Sequence, residues 1–174
     1  MNDFTVLHLS DLHIDNTDGN LSVLLENLLK DINQELSKSK RIVIVVTGDI
    51  VHQGNYEARK SVKRFFEKLR DILKEKICKV FIVPGNHDKV RNSSDNKILA
   101  TYKKDAENFG VDGWRYIKTA FQDFNNLCND IATVFGSEKD IVTVFEETYG
   151  VKVESINGLK ICFLCFNTAW NCVG

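Results

Sequence analysis

The sequence predicts an α/β fold with a mixed sheet, and three observations carry that prediction. In the first half of the chain, apolar runs typical of strands alternate with longer stretches of helical periodicity. The run Arg41–Thr47 is almost continuously β-branched, as in a strand that is covered on both faces. Later, two β-rich runs flank Asn157-Gly158, a dipeptide typical of tight hairpins. The pattern favours right-handed βαβ units and adds an antiparallel pair to the sheet.

The first half of the chain supplies three strands and two helices. Strands are predicted at Phe4–Ser10, Arg41–Thr47 and Lys79–Val83, where β-branched and other apolar residues cluster. A helix is predicted over Leu21–Leu36, in which leucine and isoleucine recur at helical spacing, and another over Tyr56–Glu75. The apolar side of this second helix consists of Val62, Phe65, Phe66, Leu69, Ile72 and Leu73. Each passage from strand through helix to strand is one βαβ unit.

The second half of the chain changes character. Residues 91–136 are polar and mixed, and we expect them to form a helical insertion. Its helices are predicted around Asp95–Phe109 and Gly113–Ile131. After it, strands are predicted at Thr148–Ser155 and Leu159–Phe166, which the Asn-Gly turn joins into a hairpin.

Length and composition favour one ordinary globular domain, residues 1–174. The formal net charge of −1 does not indicate nucleic acid as a partner, although a local basic face is compatible with that charge. The sequence contains neither a signal peptide nor an apolar run long enough to span a membrane. Its five cysteines form no disulfide framework. We therefore expect a cytoplasmic protein with reduced thiols and no membrane partner.

Three short polar motifs follow directly on the three predicted strands of the first half. They are DLH at 11–13, GD at 48–49 and GNHD at 85–88. The motifs recur at similar intervals, since 38 positions separate Asp11 from Asp49 and 37 separate Asp49 from Asn86. Because functional groups of open α/β sheets collect beyond the carboxyl ends of the strands, we expect the three motifs to converge.

The residue types of these motifs suit a divalent cation. Carboxylate and amide oxygens with imidazole nitrogen, and no thiolate, favour manganese, iron(II), magnesium or zinc. Asp11 and His13 are two positions apart and, in an extended segment, project to the same side. Gly48 and Gly85 allow the tight turns that such convergence needs. The plainer alternative is that Asp, Asn and Gly occupy these loops for conformational reasons alone.

Taken together, LSDLH, TGD and PGNHD resemble the calcineurin-like metallophosphoesterase superfamily. The resemblance covers Phe4 to about Lys89 and, weakly, Leu159–Trp170, where LCFNTAW is similar to a later strand of that family. It implies a sandwich fold with helices on the outer faces. It also implies a phosphate-ester substrate, which we expect to be a phosphodiester, and two divalent metal ions. Manganese or iron is expected, with zinc or magnesium as alternatives.

The resemblance also implies roles for single residues. Asp11 and His13 would bind a first metal, Asp49 would bridge both metals, and Asn86 would bind the second. Together the two ions would activate a water molecule for attack on phosphorus. His87 would be the general acid that protonates the leaving alkoxide, since imidazole titrates near neutral pH.

His52 departs from the pattern of many phosphatases of the superfamily, which have an Asp that orients the catalytic His at this place. A His there is similar to DNA-repair nucleases of the SbcD type. The text that follows it, QGNYEARKSVKRFFEKL, looks more like members that act on cyclic nucleotides. We predict a catalytic role for His52, and the choice of substrate stays open. Asp88 is interpreted as a cap of the following turn, with a carboxylate behind the metal ligands as the alternative.

The family pattern also requires later histidines, and the sequence has no histidine after His87. We expect the chain to be the N-terminal part of a catalytic domain, truncated before its C-terminal strands and followed by further chain in the parent protein. On that expectation the isolated 174 residues bind metal weakly and have little or no activity. The alternative is a non-catalytic sensor or interaction module that keeps the fold.

Overall fold

The structure, a computed structural model, describes residues 4–15, 19–89, 115, 118–136, 141–144 and 149–169. A parallel sheet of four strands in the order β1-β2-β3-β4 carries helices on one face and a two-stranded antiparallel hairpin on the other. The elements are β1 (Thr5–Leu9), α1 (Gly19–Glu35), β2 (Ile42–Val46), α2 (Arg59–Leu73), β3 (Ile77–Ile82), α3 (Gln122–Phe135), β4 (Val142–Val144), β5 (Tyr149–Ile156) and β6 (Leu159–Phe166). The predicted mixed α/β fold is confirmed.

Strand β2 lies at the centre of the sandwich, as its β-branched sequence predicts. Ile42 and Ile44 are fully buried in the core cluster that contains the helices. Val43, on the opposite side of the strand, is fully buried in the cluster that contains the hairpin. Because successive side chains of a strand point to opposite faces, a strand packed on both sides has apolar residues throughout.

Helix α2 packs between α1 and α3 on the first face of the sheet. Its apolar side, which includes the fully buried Phe66 and Leu69, points into the core, as the spacing predicts. An ion pair joins its first residue, Arg59, to Asp130 of α3, with Nη2 and Oδ2 2.6 Å apart. Among the described residues, no helix combines the length and the apolar character that crossing a membrane requires.

The predicted hairpin is confirmed, and its turn has the expected backbone. Asn157 and Gly158 have φ of 54° and 80°, and positive φ at both central residues defines the type I′ turn that suits a two-residue hairpin. The hairpin forms a sheet of its own and does not extend the parallel sheet. It packs on that sheet through residues such as Phe163, whose ring stacks on that of Phe81 with centroids 4.0 Å apart. The mixed sheet that the sequence predicts is therefore divided into two layers.

The segment between β3 and the hairpin differs most from prediction. Strand β4, which pairs in parallel with β3, was not predicted. The predicted helix Gly113–Ile131 is confirmed in part, since residue 115 and residues 118–120 are helical and α3 follows from Gln122, although α3 ends later than predicted. The predicted helix Asp95–Phe109 lies outside the described residues. The insertion at 91–136 stays a prediction. The described helices cover one face only, and the outer face of the hairpin exposes Val151, Val153, Leu164 and Phe166.

Candidate metal centre

The carboxyl ends of β1, β2 and β3 meet at one edge of the parallel sheet, and backbone hydrogen bonds join the loops that follow the first two. The amide of Asp11 donates to the carbonyl of Gly48 over 3.2 Å, and the amide of His13 donates to the carbonyl of Asp49 over 2.9 Å. The amide of Ile14 donates to Ile50 over 2.8 Å. The first two motifs are therefore held in register by main-chain atoms, as if the two strands continued into their loops.

The loop after β3 approaches the loop after β2 at two glycines. Gly48 has φ of +94°, and a Cβ there would overlap the backbone of Gly85. A Cβ on Gly85 would in turn overlap the carboxylate and the amide nitrogen of Asp49. The amide of His87 donates to Oδ1 of Asp49 over 2.7 Å. Only glycine fits at both positions, and this close approach brings the third motif against the second.

The buried side chain of Asp88 connects the same two loops, those after β2 and β3. Its side chain is fully buried and accepts hydrogen bonds from the amides of Ile50 at 2.9 Å, Val51 at 3.2 Å and Gly85 at 2.9 Å. Its own carbonyl accepts a hydrogen bond from the hydroxyl of Tyr56. Burial raises the pKa of Asp88 to about 6, although the amide hydrogen bonds of Gly85 and Val51 favour the ionised form. The interpretation of Asp88 as the cap of a following turn is therefore wrong, because its side chain caps the turn Asn86–Asp88 to which it belongs. It also joins the second motif to the third.

Three of the predicted ligands form one donor group. One ligand atom each of Asp11, His13 and Asp49 lies within 4.8 Å of the others. The extended conformation expected for 11–13 is wrong, because φ is 57° at Asp11 and 44° at His13. The side chains converge nevertheless, since the loop after β1 is hydrogen-bonded to the loop that contains Asp49. Asp49 also has positive φ, at 53°. Positive φ at residues other than glycine is uncommon and often marks a functional site.

A second donor group consists of histidines alone. His13, His52 and His87 each offer a ring nitrogen within 4.8 Å of the other two. The ring centroids are 4.7 Å apart between His13 and His87, and 5.6 Å apart between His52 and each of the others. The sequence pattern predicts His52 near His87 but gives no indication of its approach to His13. Spacing gives no signal for such a contact, because it depends on how the loop after Asp49 turns back.

Asn86, the remaining predicted ligand, begins a 3₁₀ turn at Asn86–Asp88. It lines a cavity of about 400 Å³ between the strand ends and the hairpin, together with Asp49. The other walls include the apolar side chains of Val83 and Phe166. The structure therefore places Asn86 and Asp49 on one cavity, next to the donor group of Asp11 and His13.

The donor groups fit divalent metal ions. They combine carboxylate oxygens with imidazole nitrogens, and they include no thiolate, which suits hard and borderline cations. Nδ1 of His13 is buried and has no hydrogen-bond partner among the described residues. Since buried polar atoms are nearly always paired, such an atom is an open position for a ligand. His8, by contrast, lies outside both groups, with Nε2 2.7 Å from Oγ1 of Thr47.

The comparison with known proteins agrees with this geometry. The family model for calcineurin-like phosphoesterases matches residues 4–161. A protein of Vesicomyosocius okutanii subsp. Calyptogena okutanii (strain HA), named as a probable cyclic nucleotide phosphodiesterase, is 28% identical over 115 residues. That match covers 66% of this chain and 44% of the relative, less than half of the relative's length. A metallophosphoesterase family implies divalent metal ions, which the donor groups fit. The chain belongs to the calcineurin-like phosphoesterase family.

Proposed function

We propose that the protein hydrolyses phosphodiesters at a site for two divalent metal ions, with manganese or iron as the expected metals and zinc or magnesium as alternatives. The observation that carries this proposal is the convergence of Asp11, His13 and Asp49, whose ligand atoms lie within 4.8 Å of one another. The match to a phosphoesterase family over most of the chain supports the reaction class.

Four residues are proposed as metal ligands. Asp11 and His13 would hold the first ion and Asn86 the second, with Asp49 shared between them. The chemistry that such a pair of ions supplies is activation of a water nucleophile and stabilisation of charge on the phosphoryl oxygens. Asp49 is suited to a shared position because it belongs to the donor group of His13 and also lines the cavity that contains Asn86.

His87 is proposed as the general acid for the leaving alkoxide. Its backbone amide is bound to the carboxylate of Asp49, so its position is fixed relative to the proposed shared ligand. An imidazole on a backbone placed there is near enough to the proposed ligands to deliver a proton to the leaving oxygen. His52, whose ring lies 5.6 Å from that of His87, is proposed to assist this proton transfer.

The cavity beside Asp49 and Asn86 supports a phosphodiester as the substrate, that is, an ester with an organic group on each side of phosphorus. It has about 400 Å³ of space, and Phe81, Val83 and Phe166 give it apolar walls. Such walls can cover a sugar or a base while the polar end faces the phosphate. A relative named as a cyclic nucleotide phosphodiesterase supports the same substrate class.

A DNA nuclease is the second candidate, and the position of His52 favours it. The SbcD-type nucleases are similar to this chain in that they have a His at that place. Here a ring nitrogen of His52 lies within 4.8 Å of ring nitrogens of His13 and His87. Direct competition between duplex DNA and a cyclic nucleotide would decide between the two. Strongly salt-dependent DNA binding would favour the nuclease. A non-catalytic module with the same fold would show turnover of neither substrate.

The test of the proposal is hydrolysis of bis-p-nitrophenyl phosphate by the protein in its natural full length, with manganese added. Asp49→Asn should lower kcat by at least about 10²–10³, as loss of a single electrostatic contact to the reacting group does elsewhere. His8→Gln is the matched control, because His8 is exposed and outside both donor groups. An Asp49→Asn variant as active as the unmodified protein would refute the proposed site.

The role of His87 has a separate signature. His87→Gln should lower kcat by about 10²–10⁴ for esters with poor leaving groups, since these depend most on a proton donor. The loss should shrink for p-nitrophenyl esters, whose leaving group departs without protonation. A series of esters of rising leaving-group pKa measures this. An equal loss across the series would show that His87 does not act as the general acid.

A further inference from the structure

The three histidines of the second donor group come from three different loops. His13 follows β1, His52 follows β2 and His87 follows β3. The proposed phosphodiesterase site uses His13 as a ligand and the other two for proton transfer, so it gives no role to the three imidazoles as a set. Their ring nitrogens nevertheless lie within 4.8 Å of one another.

This separation is close to that of ligands on one metal ion. In a tetrahedral zinc site with bonds of about 2.0–2.1 Å, two nitrogens lie about 3.3 Å apart. The three imidazoles therefore need to close by at most about 1.5 Å to share one zinc ion. His52 is exposed, so its side chain can make most of that movement by rotation. The backbones of His13 and His87 are already fixed by hydrogen bonds to the loop that contains Asp49.

The chemistry of the set differs from that of the carboxylate group. Three neutral imidazoles favour borderline ions such as zinc and cobalt, and they attract manganese or magnesium less than carboxylates do. Three protein ligands also leave a fourth position of a tetrahedral ion open to solvent. The buried Nδ1 of His13 has no hydrogen-bond partner among the described residues, which gives this ring an unused ligand atom.

The geometry points to a metal site formed by His13, His52 and His87, which binds one borderline divalent ion and shares only His13 with the group of Asp11, His13 and Asp49. Because His13 belongs to both groups, a zinc ion in this site competes with the proposed first metal for that ring. Zinc bound there also withdraws His87 from proton transfer and inhibits hydrolysis. That inhibition rests on the proposed function, whereas the binding itself does not.

The test uses the 174-residue chain and Co²⁺ as a spectroscopic probe for Zn²⁺. Calorimetry should detect one ion per chain, and the visible absorption of Co²⁺ should have the intensity of a four-coordinate nitrogen site. His52→Gln should weaken binding at least about tenfold, because even loss of a partner behind a ligand has effects of that order. Zn²⁺ should displace the cobalt.

Two variants serve as controls. Asp11→Asn removes the charge of a ligand that belongs to the carboxylate group only, so it should weaken manganese binding much more than cobalt binding. His8→Gln removes an exposed histidine outside both groups and should change neither. His52→Gln thus reports on the tri-histidine site, and Asp11→Asn reports on the proposed dinuclear site. Either proposal can therefore be refuted without refuting the other.

X-ray absorption of the zinc-loaded unmodified chain gives a test that needs no variant. Scattering from three imidazoles supports the site. One imidazole with oxygen ligands would overturn it, because the ion would then lie on Asp11, His13 and Asp49. Sulfur scattering, or thiolate charge-transfer bands with cobalt, would overturn it in favour of the cysteines. Unchanged cobalt affinity in both His52→Gln and His52→Ala would have the same consequence.

Discussion

At the scale of single residues, the candidate site depends on backbone conformations that most side chains avoid. Asp11, His13 and Asp49 have φ of 57°, 44° and 53°. Such conformations cost about 1–3 kcal/mol each and persist only where the surroundings enforce them. Here the surroundings are hydrogen bonds between loops and the close approach of Gly48 to Gly85. The sequence predicted which residues meet, but not these conformations, because aspartate and histidine occur in several backbone regions.

Substitution of Gly48 measures how strongly the close approach of the two loops constrains the backbone. Gly136 has nearly the same φ, +91° against +94°, but among the described residues, its chain neighbours apart, no atom lies within 4 Å of the place where its Cβ would be. Gly136→Ala should therefore cost only the conformational penalty, about 1–3 kcal/mol. Gly48→Ala should cost about 1–3 kcal/mol more, because its methyl group overlaps backbone that cannot move aside. Urea denaturation of both variants measures the difference, and equal losses would contradict the close approach.

At the scale of secondary-structure elements, the hairpin β5–β6 shows how far local sequence determines structure. Its turn was predictable because Asn157-Gly158 favours positive φ at both positions. Its place on the second face of the parallel sheet was not, because alternation along a strand identifies a buried side but not the layer that covers it. Inward-facing Phe163 and Cys165 could have packed on any apolar surface.

The stacked pair of Phe81 and Phe163 connects the two layers and can be isolated by a double-mutant cycle. Phe81→Leu, Phe163→Leu and the double variant should give a coupling of about 0.5–1.5 kcal/mol in the free energy of unfolding. Leu164→Ala, on the outer face and 61% exposed, should change stability by less than about 0.5 kcal/mol. Additive effects of the two Phe substitutions would mean that the hairpin does not pack on β3 in this register.

Strand β4 and His52 show what local sequence leaves undetermined. Val142–Val144 is three residues long, too short for a periodicity to be visible, and it pairs with Val80–Ile82 some sixty positions earlier. Similarly, the motif around Asp49 predicted a ligand but not that His52 would approach His13 from another loop. Both contacts follow from the assembled sheet, so neither could be predicted from a window of neighbouring residues.

At the scale of the whole molecule, the candidate ligands belong to three successive strand-and-loop units. Asp11, Asp49 and Asn86 follow β1, β2 and β3, and these strands also carry the core on both faces of the sheet. Each ion of the proposed pair would join two neighbouring loops, with Asp49 in common, and would therefore oppose separation of the strands. Metal binding and global stability should be linked, because an ion bound only by the folded state stabilises it by mass action.

That linkage gives a prediction for the 174-residue chain. At a hundredfold excess of Mn²⁺ over its dissociation constant the gain is about 2.7 kcal/mol, equivalent to a rise in Tm of about 5–10 °C for a chain of this size. Differential scanning calorimetry should show this rise, and EDTA should reverse it. Asp11→Asn with Asp49→Asn should abolish it. The same rise in that double variant would show that manganese binds elsewhere.

The hydrogen bonds between the loops have a consequence for redesign. They run from main chain to main chain, at Asp11 to Gly48 and at His13 to Asp49, so the side chains of Asp11, His13 and Asp49 take no part in them. An engineer can therefore exchange one donor type for another, for example Asp11→His, and retain the placement of the remaining donors. The metal preference can then be changed by one substitution at a time, while the glycines and Asp88 hold the backbone of the loops in place.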